Sequence, residues 1–531
     1  MRFIKRIAFL GYVFGTIALR AQTPEPLKYF VYFCNKDKAV FEPTTYFDPK
    51  SIERRIRMGI SLNDYSDLPV NDYYVKTIRP MADSLTVVSR WLNGVVIYAS
   101  QEQIENVKHL SFVNEVELLK SSRGFLMSNA APKELSLEAM ALLKFQLERM
   151  KGNIFQKNNI DGTGMRIAVF DAGFPGVDDN PAFEHIRKNG RIKSTYDFVR
   201  RKTSVYAHNI HGTMVLSCIA GKYGDINIGL ATGAEFLLAR VENADFEPFS
   251  EEENWLAAAE WADKNGADII NSSLGYTFQR YFTSDMNGRT SLVAKAASIA
   301  TRKGMLVVNA AGNEGTSSWK FIVTPADADS VLSVGGIDPY SDVHISFSSI
   351  GPTADKRLKP NVCALGEVMA IDSKGLSNVS GTSFASPLVA GFAACAWQTN
   401  RQLSNMQLYK EIEQSGHLYP YFDYAHGYGI PQADYFINKG KKTIEPTFDF
   451  VSTDTSLSVL INDRFLSFGP QQVEVQRNLY YTIQNSKGEI KNYYVLLTQQ
   501  KEVLSLRKSD YDQDDSITVH YEGYTNSLQF K

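Results

Sequence analysis

Three side chains that together can cleave an acyl bond stand far apart in this 531-residue sequence: Asp171, His211 and Ser383. A serine hydroxyl becomes a nucleophile when a histidine takes its proton. A carboxylate bonded to that histidine holds the tautomer that leaves the other ring nitrogen free. The sequence therefore contains a serine, a histidine to activate it and a carboxylate to orient the histidine, provided that the fold brings these three residues together.

Each of these side chains needs an element that positions it. The run Ile167–Phe170 is apolar without alternation, which predicts a strand buried on both faces with the aspartate at its carboxyl end. The apolar residues Met214–Ala220 predict a helix with the histidine in its first turn. Residues Phe384–Trp397 predict a buried helix with the serine at its N-terminus, where backbone N–H groups lack intrahelical partners.

A fourth residue, Asn313, follows the apolar run Met305–Val308. Its side-chain amide can donate to an oxygen that becomes negative in a tetrahedral intermediate, and the backbone N–H of Ser383 can supply a second donor. A Gly-Asn-Glu-Gly stretch by itself favours a glycine-rich turn with a left-handed asparagine. Its place between the histidine and the serine favours the catalytic interpretation.

The order acid, histidine, serine resembles that of the subtilase family, as do Ser380–Pro387 around the serine and Asn309–Gly315 around the asparagine. The resemblance implies a serine endopeptidase on a subtilisin-like α/β fold, with a doubly wound, mostly parallel sheet. A serine esterase would instead need a Gly-x-Ser-x-Gly elbow and the order Ser, Asp, His. Ala172 departs from the family, which usually has Thr or Ser after the aspartate. This leaves open a catalytically weak or self-cleaving subtilase fold that acts as a binding protein.

The resemblance also implies residues that hold a protein or peptide substrate. Ser273, Leu274 and Gly275 end a predicted parallel strand and match the family's substrate-pairing segment, where an extended peptide binds by strand addition. Ala311 and Gly312 would line the first side-chain pocket. Glu314 lies nearby and either favours basic substrate residues or faces solvent.

The sequence divides into five parts. The basic start and short apolar run of residues 1–21 predict a signal peptide, and hence a secreted or cell-surface protein. The order of predicted elements in residues 27–120, with a helix at Ser51–Met58, is ferredoxin-like and resembles a subtilase propeptide. Residues 121–150 form a junction, 151–440 the catalytic domain, and 445–531 a small β-sandwich.

A propeptide implies a zymogen, because the segment would act as the protein's own intramolecular inhibitor. We expect its tail near Val116–Ser122 to lie along Ser273–Gly275 as a product-like strand. The C-terminal β domain loosely resembles a type IX sorting domain, and a plain accessory domain fits it equally well. Alternating runs such as Gln472–Val475 and Ser516–Tyr521 predict its strands.

Composition excludes several other classes. A formal net charge of −2 gives no sign of nucleic-acid binding, and no segment after the signal is long and apolar enough to span a membrane. No cofactor or metal is expected. A structural calcium ion is possible in this family, but Ala182 stands where its aspartate ligand is expected. The four cysteines show no pairing pattern, and we expect Cys218 and Cys395 to be free and buried.

Overall fold

The computed structural model describes residues 26–119, 137–243, 249–278, 280–438, 444–466, 477–498 and 501–531. The predicted signal peptide and the segment between residues 119 and 137 lie outside these ranges, as does the predicted strand Gln472–Val475. The described chain forms an N-terminal α+β unit, a central α/β unit and a C-terminal β unit.

The N-terminal unit is a four-stranded antiparallel sheet in the order β2-β3-β1-β4, which is the ferredoxin-like order that the sequence predicts. Its strands are β1 (Leu27–Phe33), β2 (Ser84–Ser89), β3 (Gly94–Ala99) and β4 (Val113–Leu119), and its helices are α1 (Pro43–Tyr46), α2 (Pro49–Arg57), α3 (Asp72–Ile78) and α4 (Gln101–Lys108). Apolar residues of α3 and α4 pack on one face of this sheet.

Two details of this unit differ from the prediction. The helix predicted at Ser51–Met58 exists as α2, but it is not the helix that connects the first two strands of the ferredoxin-like unit. That place is taken by α3, whose Val75 and Ile78 pack on the sheet. The expected product-like tail is wrong for Val116–Leu119, because these residues pair with β1 inside the sheet. Its remainder lies outside the described residues.

The central unit is built on seven parallel strands in the order β13-β12-β11-β10-β5-β9-β6, which confirms the predicted fold class. Its strands are β5 (Arg166–Asp171), β6 (Ile192–Asp197), β7 (Lys222–Tyr223), β8 (Ile226–Asn227), β9 (Glu235–Arg240), β10 (Ile269–Ser272), β11 (Leu306–Ala310), β12 (Leu332–Ile337), β13 (Val362–Leu365), β14 (Glu367–Asp372) and β15 (Gly375–Ser380). Its helices are α5 (Leu137–Glu148), α6 (Gly152–Lys157), α7 (Glu184–Lys188), α8 (His211–Ala220), α9 (Ser250–Lys264), α10 (Leu292–Arg302), α11 (Thr382–Thr399), α12 (Asn405–Gln414) and α13 (Ala433–Asn438).

Two apolar layers enclose this parallel sheet. Helices α8 and α11 lie on one face and are buried along almost their whole lengths, and α9 and α10 lie on the other. Every residue of β5 is buried, as expected for a strand covered on both faces. Helix α5 also belongs to this core, since Leu142 and Leu143 pack in it and Gln146 bonds the backbone of Met369.

The free face of the propeptide-like sheet packs on α9 and α10. Phe30, Trp91 and Val96 share one apolar cluster with Trp255 and Leu256. The α9 carboxylate of Glu260 accepts hydrogen bonds from the Ser89 hydroxyl (2.5 Å) and from the backbone N–H groups of Arg90 (3.2 Å) and Trp91 (3.1 Å). Lys295 of α10 pairs with Glu117 at 3.1 Å. The sheet is thus joined to the central unit by both apolar and polar contacts.

The C-terminal unit consists of two antiparallel sheets, β16-β17-β20 and β19-β18-β21-β22, around one apolar core. This is the sandwich that the sequence predicts. Its strands are β16 (Phe448–Ser452), β17 (Ser456–Ile461), β18 (Asn478–Gln484), β19 (Ile490–Leu497), β20 (Glu502–Arg507), β21 (Ser516–Tyr521) and β22 (Tyr524–Gln529). Tyr480 and Asn478 attach the sandwich to the central unit by donating to the carbonyls of Asp342 (3.1 Å) and Ser341 (2.7 Å).

The cysteines are unpaired, and Cys218 and Cys395 are both buried, as expected. Burial raises the pKa of the Cys218 thiol to about 12, so this sulfur is an inert part of the core. Across the described ranges, no helix is long and apolar enough to cross a bilayer.

Candidate active site

The predicted site residues lie where adjacent parallel strands end. Asp171 is the last residue of β5, and Ser273 follows the last residue of β10. Ala311 follows the last residue of β11. These three strands are neighbours in the sheet, so their carboxyl ends place the three segments side by side. Open α/β sheets form their sites at this edge.

Asp171 and His211 are hydrogen-bonded. The histidine Nδ1 lies 2.9 Å from Asp171 Oδ1 and 3.1 Å from Oδ2, and the aspartate is completely buried. A carboxylate accepts, so Nδ1 carries a proton and Nε2 is free in the neutral ring. Gly212 allows this approach, because a Cβ there would lie 2.9 Å from Asp171 Cβ and 2.3 Å from the Gly173 carbonyl.

The pKa of His211 is raised above its ordinary value. Burial of the ring opposes the charged form, but the Asp171 carboxylate and the hydrogen bond to it favour that form more strongly. A raised pKa strengthens the imidazole as a base, and the buried aspartate stabilises the imidazolium that proton uptake produces.

The departure at Ala172 is compensated by the backbone. The Ala172 N–H donates to Asp171 Oδ1 at 2.7 Å, and the Ala172 carbonyl accepts from Arg240 Nε at 2.9 Å. The carboxylate is therefore held without the hydroxyl that the family usually supplies at this position. The observation weakens the case for a catalytically silent fold that the substitution suggested.

Ser383 is the second residue of α11, so its N–H is one of the donors that a helix start leaves unpaired. Its hydroxyl donates to the Ser273 carbonyl at 3.2 Å. The next residue, Phe384, places its ring 5.4 Å from that of His211. A hydroxyl has one proton, so the Ser383 hydroxyl must turn from the carbonyl to the histidine before proton transfer. Catalytic hydrogen bonds often form fully only when substrate is bound.

Asn313 has a fixed orientation. Its Oδ1 accepts from the Thr382 N–H at 2.9 Å and from the Thr382 hydroxyl at 2.8 Å. Two donors on one atom identify that atom as the oxygen, so Nδ2 points the other way. A Cβ on Gly381 would stand 3.6 Å from Nδ2, which places the amide beside the turn that carries Ser383. Asn313 Nδ2 and the Ser383 N–H are therefore the two candidate donors to an oxyanion at the start of α11.

The predicted substrate segments meet across one side chain, Val323. A Cβ on Gly275 would lie 2.2 Å from Val323 Cγ2, and a Cβ on Gly312 would lie 2.5 Å from Cγ1. Gly312 also has a φ of +113°, which favours glycine. Ala311 is fully buried next to Gly312, and its contact with substrate stays a prediction. Glu314 Oε2 accepts from the Ser317 hydroxyl at 2.7 Å within its own turn.

Sequence reasoning missed a chain of hydrogen bonds next to Ser383. The Ser386 hydroxyl donates to Asn271 Oδ1 (3.0 Å), and Asn271 Nδ2 donates to Ser273 Oγ (3.3 Å). Ser273 Oγ in turn donates to the carbonyl of Ser383 (2.8 Å). This chain ties β10 to the start of α11. The available signal was the spacing of Ser383 and Ser386, which places them on one face of a helix.

The loop before α8 borders an open cavity of about 750 Å³, lined among others by Pro175, Asn209 and Asp372. His208 lies in this loop with its Nε2 3.8 Å from Asp197 Oδ2, away from the Asp171 carboxylate. In the part of the chain that the structure describes, no His, Cys, Asp or Glu side chains form a group of three that could hold a metal ion. The expectation about calcium stays a prediction.

Comparisons with known proteins identify similar sequences and folds. The sequence model of the Subtilase family matches residues 162–429, and that of the Peptidase S8 propeptide domain, Bacteroidota, matches residues 28–134.

Alkaline elastase YaB of Bacillus sp. (strain YaB) is 28% identical over 53% of this chain and 67% of its own. Subtilisin BL of Lederbergia lenta is 28% identical over 51% of this chain and 89% of its own. Serine protease AprX of Bacillus subtilis (strain 168) is 29% identical over 54% and 70%. A solved structure of MycP1 from the ESX-1 type VII secretion system aligns with a TM-score of 0.47 at 21% identity, covering 62% of this chain and 94% of that one.

Proposed function

Because this chain belongs to the subtilase family of serine proteases and carries a propeptide domain, we propose that it is an endopeptidase that cleaves peptide bonds through Asp171, His211 and Ser383. The observation that carries the proposal is the buried Asp171 carboxylate bonded to His211, beside a serine at the start of α11.

The chemistry follows from these positions. His211 Nε2 takes the proton of Ser383 Oγ as that oxygen attacks the substrate carbonyl. The carbonyl π electrons move to its oxygen, and the resulting oxyanion accepts from Asn313 Nδ2 and Ser383 N–H. When the C–N bond breaks, His211 returns the proton to the leaving amine and an acyl-serine remains. Water then attacks the acyl-serine and gives its proton to His211. The C–O bond to Ser383 breaks, Ser383 takes the proton back, and the product acid leaves.

The substrate is an extended segment of a protein or peptide. Ser273–Gly275 continues from β10 past the end of its strand pairing, and such a segment can add one more strand by main-chain hydrogen bonds. Gly275 and Gly312 pack directly against the buried Val323, and a substrate side chain would enter beside these two glycines. The Glu314 carboxylate accepts from the Ser317 hydroxyl within its own turn, and we propose no charge preference for the first pocket.

The protein is made as a zymogen and exported. Residues 1–21 direct export, and the C-terminal sandwich serves as an accessory or sorting domain. The N-terminal unit inhibits the enzyme until it is cut away. Its strand β4 ends at Leu119 and the catalytic core begins with α5 at Leu137, so we expect processing between residues 119 and 137. Its contacts with α9 and α10 support binding after that cut.

N-terminal sequencing of the secreted product tests this proposal. The wild-type chain should yield a new N-terminus between residues 119 and 137, and the Ser383→Ala chain should keep residues 26–119 attached. The separated 26–119 segment, added to the processed enzyme, should inhibit it. An identical N-terminus in both chains, together with undiminished peptidase activity in Ser383→Ala, would contradict the proposal.

A further inference from the structure

Residues 34–71 connect β1 to α3 and contain helix α2, which contacts a second surface of the central unit, called the catalytic unit from here on. That surface, here called the base, is formed by the residues that precede β5, β10 and β11. The base lies at the N-terminal ends of these parallel strands, whereas Asp171 and Ser273 lie at their carboxyl ends. Asp48 caps the N-terminus of α2 by accepting from the Lys50 N–H at 2.9 Å, and Pro49 is the first residue of the helix.

Arg54 of α2 is completely buried in the base. Its guanidinium donates to the carbonyls of Lys303 (3.2 Å) and Ala267 and to the carboxylate of Asp263 at the end of α9. Ala267 precedes β10 and Lys303 precedes β11, so one side chain joins the starts of two neighbouring strands. The planar group with five N–H donors makes such a multiple contact possible.

Arg55 extends the same network. It is also fully buried, and it donates to Asp263 (2.5 Å) of the catalytic unit and to Asp67 (2.7 Å) of the propeptide unit. Asp67 in turn pairs with Lys303 of the catalytic unit at 2.9 Å. The charges alternate between the two units, so each unit compensates buried charges of the other.

The backbones approach closely here. A Cβ on Gly266 would lie 2.9 Å from Lys50 Cβ, and a Cβ on Gly304 would lie 2.5 Å from the Met58 sulfur. Arg57 places its guanidinium 3.5 Å from the Asp268 carboxylate. Helix α2 therefore lies directly on the main chain of the base, and the fit depends on two glycines of the catalytic unit.

We propose that α2 is a second docking element, which anchors the propeptide to the base of the catalytic unit independently of the cleft. The inference rests on the proposed zymogen role of residues 26–119, and it adds a consequence. A cut between residues 119 and 137 removes the covalent link between the two units, but it leaves the base contact intact. The processed enzyme then remains a non-covalent complex until Arg54 and Arg55 leave Asp263.

The test uses the full chain with Ser383→Ala and a recognition site for a site-specific protease inserted between residues 119 and 137. After the cut, the dissociation rate of the two fragments is measured by size exclusion and by competition with labelled wild-type fragment. The test variant carries Arg54→Met and Arg55→Met. The matched control carries Lys76→Met and Lys108→Met, which remove two positive charges that are exposed on α3 and α4 and pair only within the propeptide unit.

The wild-type and control fragments should stay together, and the double arginine variant should dissociate at least about tenfold faster, since removing one partner of a buried ion pair is strongly destabilising. If the double variant does not fold before the cut, Arg54→Lys replaces it. A lysine keeps the charge but cannot reach Asp263 and both carbonyls together, so dissociation should again be faster than in the control.

The proposal is overturned if the folded arginine variant dissociates no faster than the control that carries Lys76→Met and Lys108→Met. It is also overturned if the wild-type fragments dissociate as fast as the arginine variant. The measurement does not use the chain's own protease activity, because the cut is made from outside. If α2 holds the fragments together while a separately prepared chain with the native Ser383 shows no peptidase activity, the proposed function is contradicted and this inference stands.

Discussion

In the proposed mechanism Asn313 has two roles, one for each amide atom, and substitution can separate them. Its Oδ1 caps the start of α11 by accepting from the Thr382 N–H and hydroxyl. Its Nδ2 faces the turn at Gly381 and is free to donate to the oxyanion. Asn313→Ala removes both functions, whereas Asn313→Asp keeps an acceptor for Thr382 and loses the donor.

The magnitudes follow from these contacts. Loss of an oxyanion donor lowers turnover by about 10²–10³, a range whose standard example is the corresponding donor of subtilisin. The Michaelis constant should change little, because the bond strengthens only as the oxygen becomes negative. Loss of the cap costs about 1 kcal/mol of folding free energy, since Asn313 is exposed and water replaces part of the bond.

Steady-state kinetics on a peptide anilide, with thermal unfolding of the same samples, resolves the two effects. Asn313→Ala should lose turnover and about 1 kcal/mol of stability. Asn313→Asp should keep the stability and lose at least as much turnover, because a carboxylate also repels the oxyanion. The reasoning fails if Asn313→Ala raises the Michaelis constant and leaves turnover unchanged, which would identify Asn313 as a ground-state or purely structural residue.

Three further predictions concern the triad and pH. Ser383→Ala and His211→Ala should each abolish measurable turnover, and the double variant should be no slower than either, as expected for residues that act as a unit; multiplicative losses would contradict this. Because the pKa of His211 is raised and the base must be neutral, kcat/KM should fall as pH drops through a value above about 6.5. Asp171→Asn should move that limb to lower pH and reduce kcat by about 10⁴; an unmoved limb would assign it to another group. Burial lowers the pKa of His520 to about 4, so the folded chain binds fewer protons than the unfolded chain below about pH 6.5. The stability present above that pH should therefore decline towards pH 4, and His520→Gln should make the decline of the thermal midpoint shallower than in the wild-type chain.

The central fold was predictable because its signals are local. Ile167–Phe170 lacks alternation because both faces of β5 are covered, and the polar residue that follows such a strand falls at the site edge. The run Phe384–Trp397 is apolar all round because α11 is buried along its length. The sequence also predicted the ferredoxin-like order, because the strands of that unit are short and separated by clear turn residues.

The base contact could not be predicted in this way. Arg54 and Arg55 read as ordinary surface charges on an amphipathic helix, and their burial depends on Asp263, which lies about two hundred residues later in the chain. No periodicity encodes such a pairing between distant segments. The orientation of Asn313 was equally hidden, because it depends on which donors the turn at Thr382 presents.

The central claim is that Ser383 is an activated nucleophile, and a fluorophosphonate serine-hydrolase probe tests it most directly. The probe should label the processed wild-type enzyme, and mass spectrometry should find the adduct on the peptide that contains Ser383. Ser383→Ala and His211→Ala should remain unlabelled under the same conditions. A folded, processed wild-type enzyme that takes no label, or that is labelled at another serine, would contradict the account.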